Sequence, residues 1–197
     1  MADRATDGTS ALKRPGRFTY RDYKTWPADE RWELINGEAY AMSPAPRRVH
    51  QTVLAKMYVQ IDAHFAGKRC RPHIAPVDVF LVEEGETVDN AEHVVQPDAF
   101  VVCDEKKLAE NGVIGAPDLV IEVLSPATAM KDQSEKRTLY EKHGVREYWI
   151  INPDTFELFA YTLTEGRFPL PAVADLRDGF TSTIFPDLTV RVRPEDL

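Results

Sequence analysis

The sequence predicts a single mixed α/β domain with a central β-sheet and helices on both faces. One observation is the nearly all-apolar run LVIEVL at Leu119–Leu124, which is typical of a strand covered on both faces. A second apolar run, EYWII at Glu147–Ile151, follows a stretch with helical spacing, and this order predicts a β-α-β unit. The 197 residues are enough for one sizeable domain and short for two.

The N-terminal part of the chain predicts a polar leader, a short helix and a hairpin. Residues 1–17 are rich in Gly, Thr and charge and predict a disordered leader, so the domain is expected over residues 18–197. Thr19 is a good N-cap for a short helix. Asn36-Gly37 lies between two β-like runs and predicts a hairpin, because both turn positions require positive φ.

The middle of the chain predicts one long helix and two strands. Apolar residues recur at helical spacing over Arg47–Ala66. Strands are expected over Arg71–Val82 and Val94–Val102, separated by an acidic loop. Asp104–Gly115 is expected to hold one or two helical turns. These elements supply a helix and two strands before the β-α-β unit begins.

The crossover helix and the C-terminal β pieces complete the predicted domain. Asp132 and Glu135 form a capping-box pattern for a helix that runs to about His143. Phe156–Leu163 is expected to return as an antiparallel strand. The tail has Pro and Gly punctuation and short β-like pieces such as Leu188–Val192. The β pieces of the tail, like the N-terminal hairpin, are expected as additions to the central sheet.

Composition excludes several classes of protein. No run of eighteen apolar residues exists and the N-terminus lacks the apolar core of a secretion signal, so no membrane span and a cytoplasmic location are expected. With only Cys70 and Cys103, neither a disulfide framework nor a structural zinc site is expected, and Cys103 is interpreted as a core residue. The net charge of -8 argues against broad attraction to nucleic acid. It leaves a nuclease open, because a cluster of acids that awaits a divalent cation inflates the negative count.

Two carboxylates stand in unusual places. Glu122 lies in the middle of a buried strand, where a charge costs several kcal/mol unless it is paired or bound to a metal. Asp98 lies near the start of another strand, directly after Pro97. Carboxylates on neighbouring strand ends are hard oxygen ligands that suit Mg²⁺ or Mn²⁺. The sequence therefore predicts a divalent metal site at Asp98 and Glu122.

Lys136 is predicted to point towards the same sheet. It shares a helical stripe with Leu139 and Tyr140, which should face the sheet. An inward lysine beside two carboxylates can hold a water molecule or a phosphate oxygen and can stabilise charge in a transition state.

Each of these residues also has a purely structural interpretation. Asp98 can cap a strand edge or turn, Glu122 can pair with a structural cation, and Lys136 can extend along the helix into solvent. His50, on the buried stripe of the long helix, is more often a core-flanking histidine than a ligand. Asp78 alternates with apolar neighbours and is expected to face solvent.

The motifs resemble a known family of bacterial nucleases. The block PDLVIEVLSPATAMKDQSEKRTLYEKHGVREYWIINP, together with the earlier ELINGEAYAMSPAP, His50 and VVQPDAFVV, resembles the Uma-type (Uma-two) restriction endonuclease family. The resemblance covers about Tyr20 to Tyr161 and includes the PD-(D/E)XK nuclease superfamily pattern. It implies a restriction-endonuclease-like fold.

The resemblance assigns roles residue by residue. Pro97-Asp98 is similar to the PD of the superfamily pattern, and Glu122 matches its (D/E) position. Leu124 stands where the pattern has lysine, and Lys136 on the following helix is the candidate replacement. Glu38 corresponds to an acid of the N-terminal motif that would complete the metal shell. Asp78 and His50 are further candidates for the site.

The implied function is a Mg²⁺- or Mn²⁺-dependent endonuclease that hydrolyses phosphodiester bonds in DNA and forms a homodimer. Two alternatives stay open. The same fold can serve as a module that binds nucleic acid or protein without cutting. It can also serve as a structural dimer subunit with a vestigial site, in which the Tyr and Trp residues of the N-terminal helix form the interface.

Overall fold

A computed structural model describes residues 13–14, 16–27, 29–42, 46–125 and 129–196. The strands in these ranges form two mixed sheets and one separate two-stranded pair. In chain order they are β1 (Lys13–Arg14), β2 (Trp32–Ile35), β3 (Glu38–Ala41), β4 (Arg71–Ile74), β5 (Val79–Phe80), β6 (Val94–Val95), β7 (Ala99–Val102), β8 (Leu108–Ala109), β9 (Gly112–Ile114), β10 (Leu119–Val123), β11 (Glu147–Ile151), β12 (Glu157–Thr162), β13 (Ala172–Asp175), β14 (Phe180–Thr181) and β15 (Thr189–Val190).

Helical segments are few and mostly short. The α-helices described are α1 (Tyr20–Tyr23), α2 (Arg48–Phe65), α3 (Ala129–Lys131) and α4 (Arg137–His143); a π-helical segment, Asp132–Lys136, joins α3 to α4, and 3₁₀ turns cover Val88–Asn90, Glu105–Lys107 and Pro194–Asp196. In the part of the chain that the structure describes, none of these helices combines the length and the apolar character needed to cross a membrane.

The central sheet has the order β13-β12-β11-β10-β7-β4, and helices cover both of its faces. β10 and β11 run parallel, which confirms the β-α-β prediction. β7 pairs antiparallel with β10, and β12 pairs antiparallel with β11, as predicted for the return strand. Side chains alternate along β10 because successive residues of a strand point to opposite faces. Ile121 belongs to the core cluster that includes α2, and Val120 belongs to the cluster that includes Leu139 of α4. The prediction of a mixed α/β domain is therefore confirmed.

The N-terminal hairpin belongs to a second sheet with the order β1-β3-β2-β6-β5-β9-β8. Asn36 and Gly37 adopt φ values of 52° and 73°, which confirms the predicted turn. Residues 1–12 of the predicted leader lie outside the described residues. Lys13–Arg14 pairs antiparallel with β3, so this part of the leader is an edge strand.

Two predicted strands are each divided between the sheets. The expected strand Arg71–Val82 consists of β4 in the central sheet and β5 in the second, and Val94–Val102 consists of β6 in the second sheet and β7 in the central one. β4 pairs with β7 and β5 pairs with β6, so both segments change sheet at the same level. Prolines 76 and 97 lie at the two crossings, where a residue without an N–H cannot continue a ladder.

The expected helical turns over Asp104–Gly115 are only partly present. A 3₁₀ turn, Glu105–Lys107, is followed by the antiparallel pair β8 and β9. Gly112 has φ 144°, and a Cβ at this position would lie 2.3 Å from the carbonyl oxygen of Asp78. This close approach between β9 and β5 favours pairing over helix, and the contact is non-local in sequence.

Cys70 and Cys103 are joined by a disulfide bond. The expectation of a chain without disulfides is wrong. Cys103 packs against the core cluster that includes α2, as its place at the end of an apolar strand predicted, but it does so as half of a disulfide. Arg71 pairs with Val102 in the β4–β7 register, so the residues one step further, Cys70 and Cys103, face each other across the same two strands. Sequence spacing could not reveal this pairing because it depends on the register of non-adjacent strands.

Candidate active site

A cavity of about 410 Å³ lies where the two sheets separate, and Asp98, Glu122 and Lys136 all border it. The three residues come from different elements: the crossing between β6 and β7, the middle of β10, and the π-helical segment. The crossing places Asp98 beside β10 because β7 pairs with β10. The structure thus brings together the three residues that the sequence singled out.

Asp98 is fixed through one of its two carboxylate oxygens. Oδ2 accepts a hydrogen bond of 2.8 Å from the backbone N–H of Val123 and lies 3.2 Å from Nε2 of His50. Val123 follows Glu122 directly, so this bond ties the two acids to one short piece of β10. The Asp98 side chain is 22% exposed, and within the described residues both of these contacts are made by Oδ2 rather than Oδ1.

Glu122 is buried among charged groups. Its Oε1 accepts hydrogen bonds from Nζ of Lys136 at 2.8 Å and from the hydroxyl of Tyr140 at 3.1 Å. Burial raises the pKa of Glu122 well above the usual value; the Lys136 ammonium opposes this, and the carboxylates of Asp132 and Asp98 add to it. Glu122 therefore lies beside one ammonium group and further carboxylates, whose effects on its pKa are opposite.

Lys136 is enclosed by three carboxylates. Nζ lies 2.8 Å from Oε1 of Glu33, 2.8 Å from Oε1 of Glu122 and 3.6 Å from Oδ1 of Asp132. Burial by itself would lower the pKa of this lysine, but the three carboxylates together raise it well above the usual value. Lys136 faces the interior as its helical stripe predicted, and its side chain is 3% exposed.

The π-helical segment departs from the predicted helix start. The capping-box pattern predicts Asp132 as the N-cap, but helix already begins at Ala129 and Asp132 is 1% exposed. The hydroxyl of Tyr148 donates a 2.9 Å hydrogen bond to the backbone carbonyl of Asp132. A side chain that donates a hydrogen bond to a helix carbonyl interrupts the i→i−4 ladder and accompanies a widened, π-helical turn. Such turns are frequent at functional sites.

Glu33 is a member of the site that the sequence interpretation missed. It lies in β2 with a fully buried side chain, and it pairs with Lys131 and Lys136 and accepts a 3.0 Å hydrogen bond from the N–H of Gln96. Burial would raise its pKa, but Lys136 and then Lys131 outweigh burial and lower the pKa to about 2. The signal was available, because Glu33 interrupts the apolar strand WELI as Glu122 interrupts LVIEVL.

Lys131 is a second lysine at the cavity. It pairs with Glu33, and its Nζ lies 5.6 Å from the centre of the Tyr40 ring. Its side chain is 11% exposed and it borders the cavity.

The other three candidates have different positions. His50 is buried, borders the cavity and contacts Asp98. Asp78 does not face solvent freely as expected: it is half-buried, burial raises its pKa, and its Oδ1 accepts a 2.7 Å hydrogen bond from Gln96. Glu38 is exposed, accepts a 2.8 Å hydrogen bond from the hydroxyl of Tyr40, and is not among the residues that border the cavity.

The acids of the cavity fit a hydrated hard cation. Within the described ranges, no three His, Cys, Asp or Glu side chains form a group that could hold a metal ion by themselves. Mg²⁺ is usually bound through one or two carboxylates, with water and phosphate oxygens completing the shell. Asp98 and Glu122 border one cavity and repel each other, so a cation between them would relieve this repulsion.

Comparisons with known proteins identify relatives over most of the chain. The family model described as "Uma2: Putative restriction endonuclease" matches residues 20–193. The uncharacterized protein slr1290 of Synechocystis sp. is 25% identical over 148 residues, which is 74% of either chain. The crystal structure of a "putative nuclease belonging to DUF820" from Anabaena variabilis has a TM-score of 0.69 at 22% identity, and the match covers 91% of this chain and 96% of that one. This structural likeness shows a shared fold.

Proposed function

This chain belongs to the Uma2 family, whose description is "Putative restriction endonuclease", and from that membership we propose that it is a metal-dependent endonuclease hydrolysing phosphodiester bonds in DNA. The observation that carries the proposal is the convergence of Asp98, Glu122 and Lys136 on one cavity. Two acids and a lysine from separate elements meet there. A purely structural ion pair has no need of a cavity beside it.

Asp98 and Glu122 would hold Mg²⁺ or Mn²⁺. When bound, such an ion lowers the pKa of a coordinated water and neutralises charge on a phosphate. A bound cation stabilises the ionised form of its ligands, so ion binding would lower the pKa of Glu122, which burial raises in the folded protein.

The protein's own groups fix the acids for this task. The N–H of Val123 and the imidazole of His50 orient Asp98 through Oδ2. Lys136 and Tyr140 orient Glu122 through Oε1. In both acids one oxygen is held by the protein, so the position of the other is defined before a ligand arrives. Lys136 also offsets part of the negative charge of Glu33 and Glu122.

Plasmid nicking tests the proposal. Supercoiled plasmid is incubated with the protein and Mn²⁺ or Mg²⁺, beside Asp98→Asn and Glu122→Gln. We expect nicking by the wild type and a loss of at least about 10²-fold in each variant. Asp62→Asn, on the exposed face of α2, is the matched control and should cut at the wild-type rate. Equal nicking by wild type, Asp98→Asn and Glu122→Gln would refute the assigned site.

A non-cutting module that binds nucleic acid or protein is the second candidate. The observation in its favour is that Glu122 already has two donors inside the protein. Isothermal titration calorimetry with Mn²⁺ distinguishes the two functions when it is combined with the nicking assay. Tight Mn²⁺ binding that Asp98→Asn abolishes, with no nicking of any DNA, would favour the module.

A further inference from the structure

The two lysines at the cavity differ in what their ammonium groups contact. A lysine ammonium has three N–H donors and no acceptor. For Lys136, three carboxylates lie within 3.6 Å of Nζ, and the side chain is 3% exposed. Two of these contacts, to Glu33 and Glu122, are at hydrogen-bond distance, and the contact to Asp132 at 3.6 Å is an ion pair. A substrate oxygen would therefore have to compete with three carboxylates for this ammonium group.

Lys131 has donors to spare. Glu33 is its carboxylate partner among the described residues, and the ring of Tyr40, 5.6 Å from Nζ, restricts the side chain from another side. Glu33 is at the same time shared with Lys136, so its negative charge is divided between two cations. Lys131 borders the cavity and is more exposed than Lys136, at 11% against 3%. Glu33 and Tyr40 therefore hold the ammonium group in place, and among the described residues they leave N–H donors for a ligand in the cavity.

We propose that Lys131 is the catalytic lysine that donates to a non-bridging oxygen of the DNA phosphate, and that Lys136 is a positioning residue for Glu33 and Glu122. The inference rests on the proposed nuclease function and reverses the role that the sequence pattern assigned to Lys136. An ammonium group at the cavity suits this contact because hydrogen bonds from a cation to a phosphate are about twice as strong as neutral ones.

Binding to DNA without metal tests Lys131 independently of cleavage. A fluorescein-labelled 20-base-pair duplex is titrated with protein in EDTA at several salt concentrations, and anisotropy is recorded. Lys131→Gln should bind about tenfold more weakly, and its salt dependence should decrease by about one released counterion. Lys142→Gln is the matched control, since Lys142 also pairs with a glutamate, Glu83, but lies outside the cavity. It should bind as the wild type does.

Cleavage kinetics separate the two lysine roles. With Mn²⁺ and plasmid, Lys131→Gln should lose about 10²-fold in kcat with a smaller decrease in melting temperature than Lys136→Gln, and Lys131→Arg should recover part of the loss because it restores a cationic donor. Lys136→Gln should lower the melting temperature as well as the rate.

The outcomes for the inference and for the nuclease proposal are distinguishable. A Lys131→Gln protein that binds and cuts like the wild type would overturn the inference while nuclease activity stood. If the wild type never cuts, the nuclease proposal fails, and the binding titration still decides the phosphate contact. If Lys136→Gln does not fold, the comparison of Lys131→Gln with Lys142→Gln decides the inference.

Discussion

Glu122 and Glu147 are buried glutamates on neighbouring parallel strands, yet their surroundings differ completely. Glu147, at the start of β11, is fully buried and accepts hydrogen bonds from the hydroxyl of Ser182 at 2.5 Å and the N–H of Thr183 at 3.0 Å. Both donors are neutral and come from the C-terminal tail. Glu122, in β10, is held by Lys136 and Tyr140 beside further acids and borders a cavity.

The comparison shows that burial of an acid does not by itself mark a functional site. Glu147 connects the C-terminal tail to the central sheet, since both of its oxygens accept hydrogen bonds from neutral donors of the tail. It is not among the residues that border the cavity. Glu122 lies where carboxylates repel one another and where a ligand has room to enter. Partners and access, rather than exposure, separate the two roles.

The largest expected difference between the two glutamates is in activity. Glu122→Gln should lower the rate of Mn²⁺-dependent plasmid nicking by about 10²–10³-fold, because it would remove one of the two proposed metal ligands. Glu147→Gln should leave the rate within about twofold of the wild type. Nicking rates under saturating Mn²⁺ measure both. A comparable loss in the two variants would mean that Glu122 is no more than a structural acid.

The next largest effect concerns stability at the cavity. Lys136→Met should lower the free energy of unfolding by about 3–5 kcal/mol, because it leaves buried Glu33 and Glu122 without their shared cation. Urea denaturation measures it. In a Glu122→Gln background, Lys136→Met should lower the free energy of unfolding by less, because only the Glu33 carboxylate then loses the Lys136 cation. Equal costs in both backgrounds would show that Lys136 and Glu122 are not coupled.

A smaller stability effect is expected at Glu147. Glu147→Gln keeps the shape of the side chain but leaves only one acceptor oxygen for the two donors of the tail. The free energy of unfolding should decrease by about 1–2 kcal/mol. Ser182→Ala should have a similar effect, and the two together should be less than additive. Urea denaturation tests this series, and an unchanged midpoint for Glu147→Gln would contradict it.

The site acids should also differ from each other in the pH dependence of their contribution to stability. The pKa of Glu122 is raised on folding, so its stabilising contribution is full below the unfolded value of about 4.3 and is lost as pH rises towards the folded pKa. For Glu33, whose pKa is lowered to about 2, the contribution is present above about 4.3 and is lost as pH falls.

Glu122→Gln removes only the first of these two contributions. Relative to the variant, the wild type should lose unfolding free energy as pH rises from about 4.5 to about 8, by at most about 1.4 kcal/mol per pH unit. Urea denaturation across this range measures the difference. Parallel pH profiles for wild type and variant would show that the pKa of Glu122 is not raised.

The sequence was informative about the site wherever a charged residue occupies a position at which the apolar pattern predicts a buried side chain. Glu122 in LVIEVL and Lys136 on an apolar stripe both stood out, and both are buried at the cavity. Glu33 meets the same criterion in WELI, whereas the family pattern indicates Glu38, which lies outside the cavity. The choice between these two hairpin acids depends on which face of β2 and β3 meets the π-helical segment, and local spacing does not fix that.

By itself the sequence determined the mixed α/β class, the parallel β-α-β unit and the Asn36-Gly37 turn, because periodicity and turn chemistry act over a few neighbouring residues. Tertiary structure alone decided the division of two predicted strands between two sheets, the Cys70–Cys103 pairing and the sharing of Lys136 by three acids. These features depend on strand register and on the approach of segments distant in sequence. They are stabilised by packing and by charge neutralisation in the assembled core. These contributions join residues that are distant in sequence, so a local sequence pattern does not predict them.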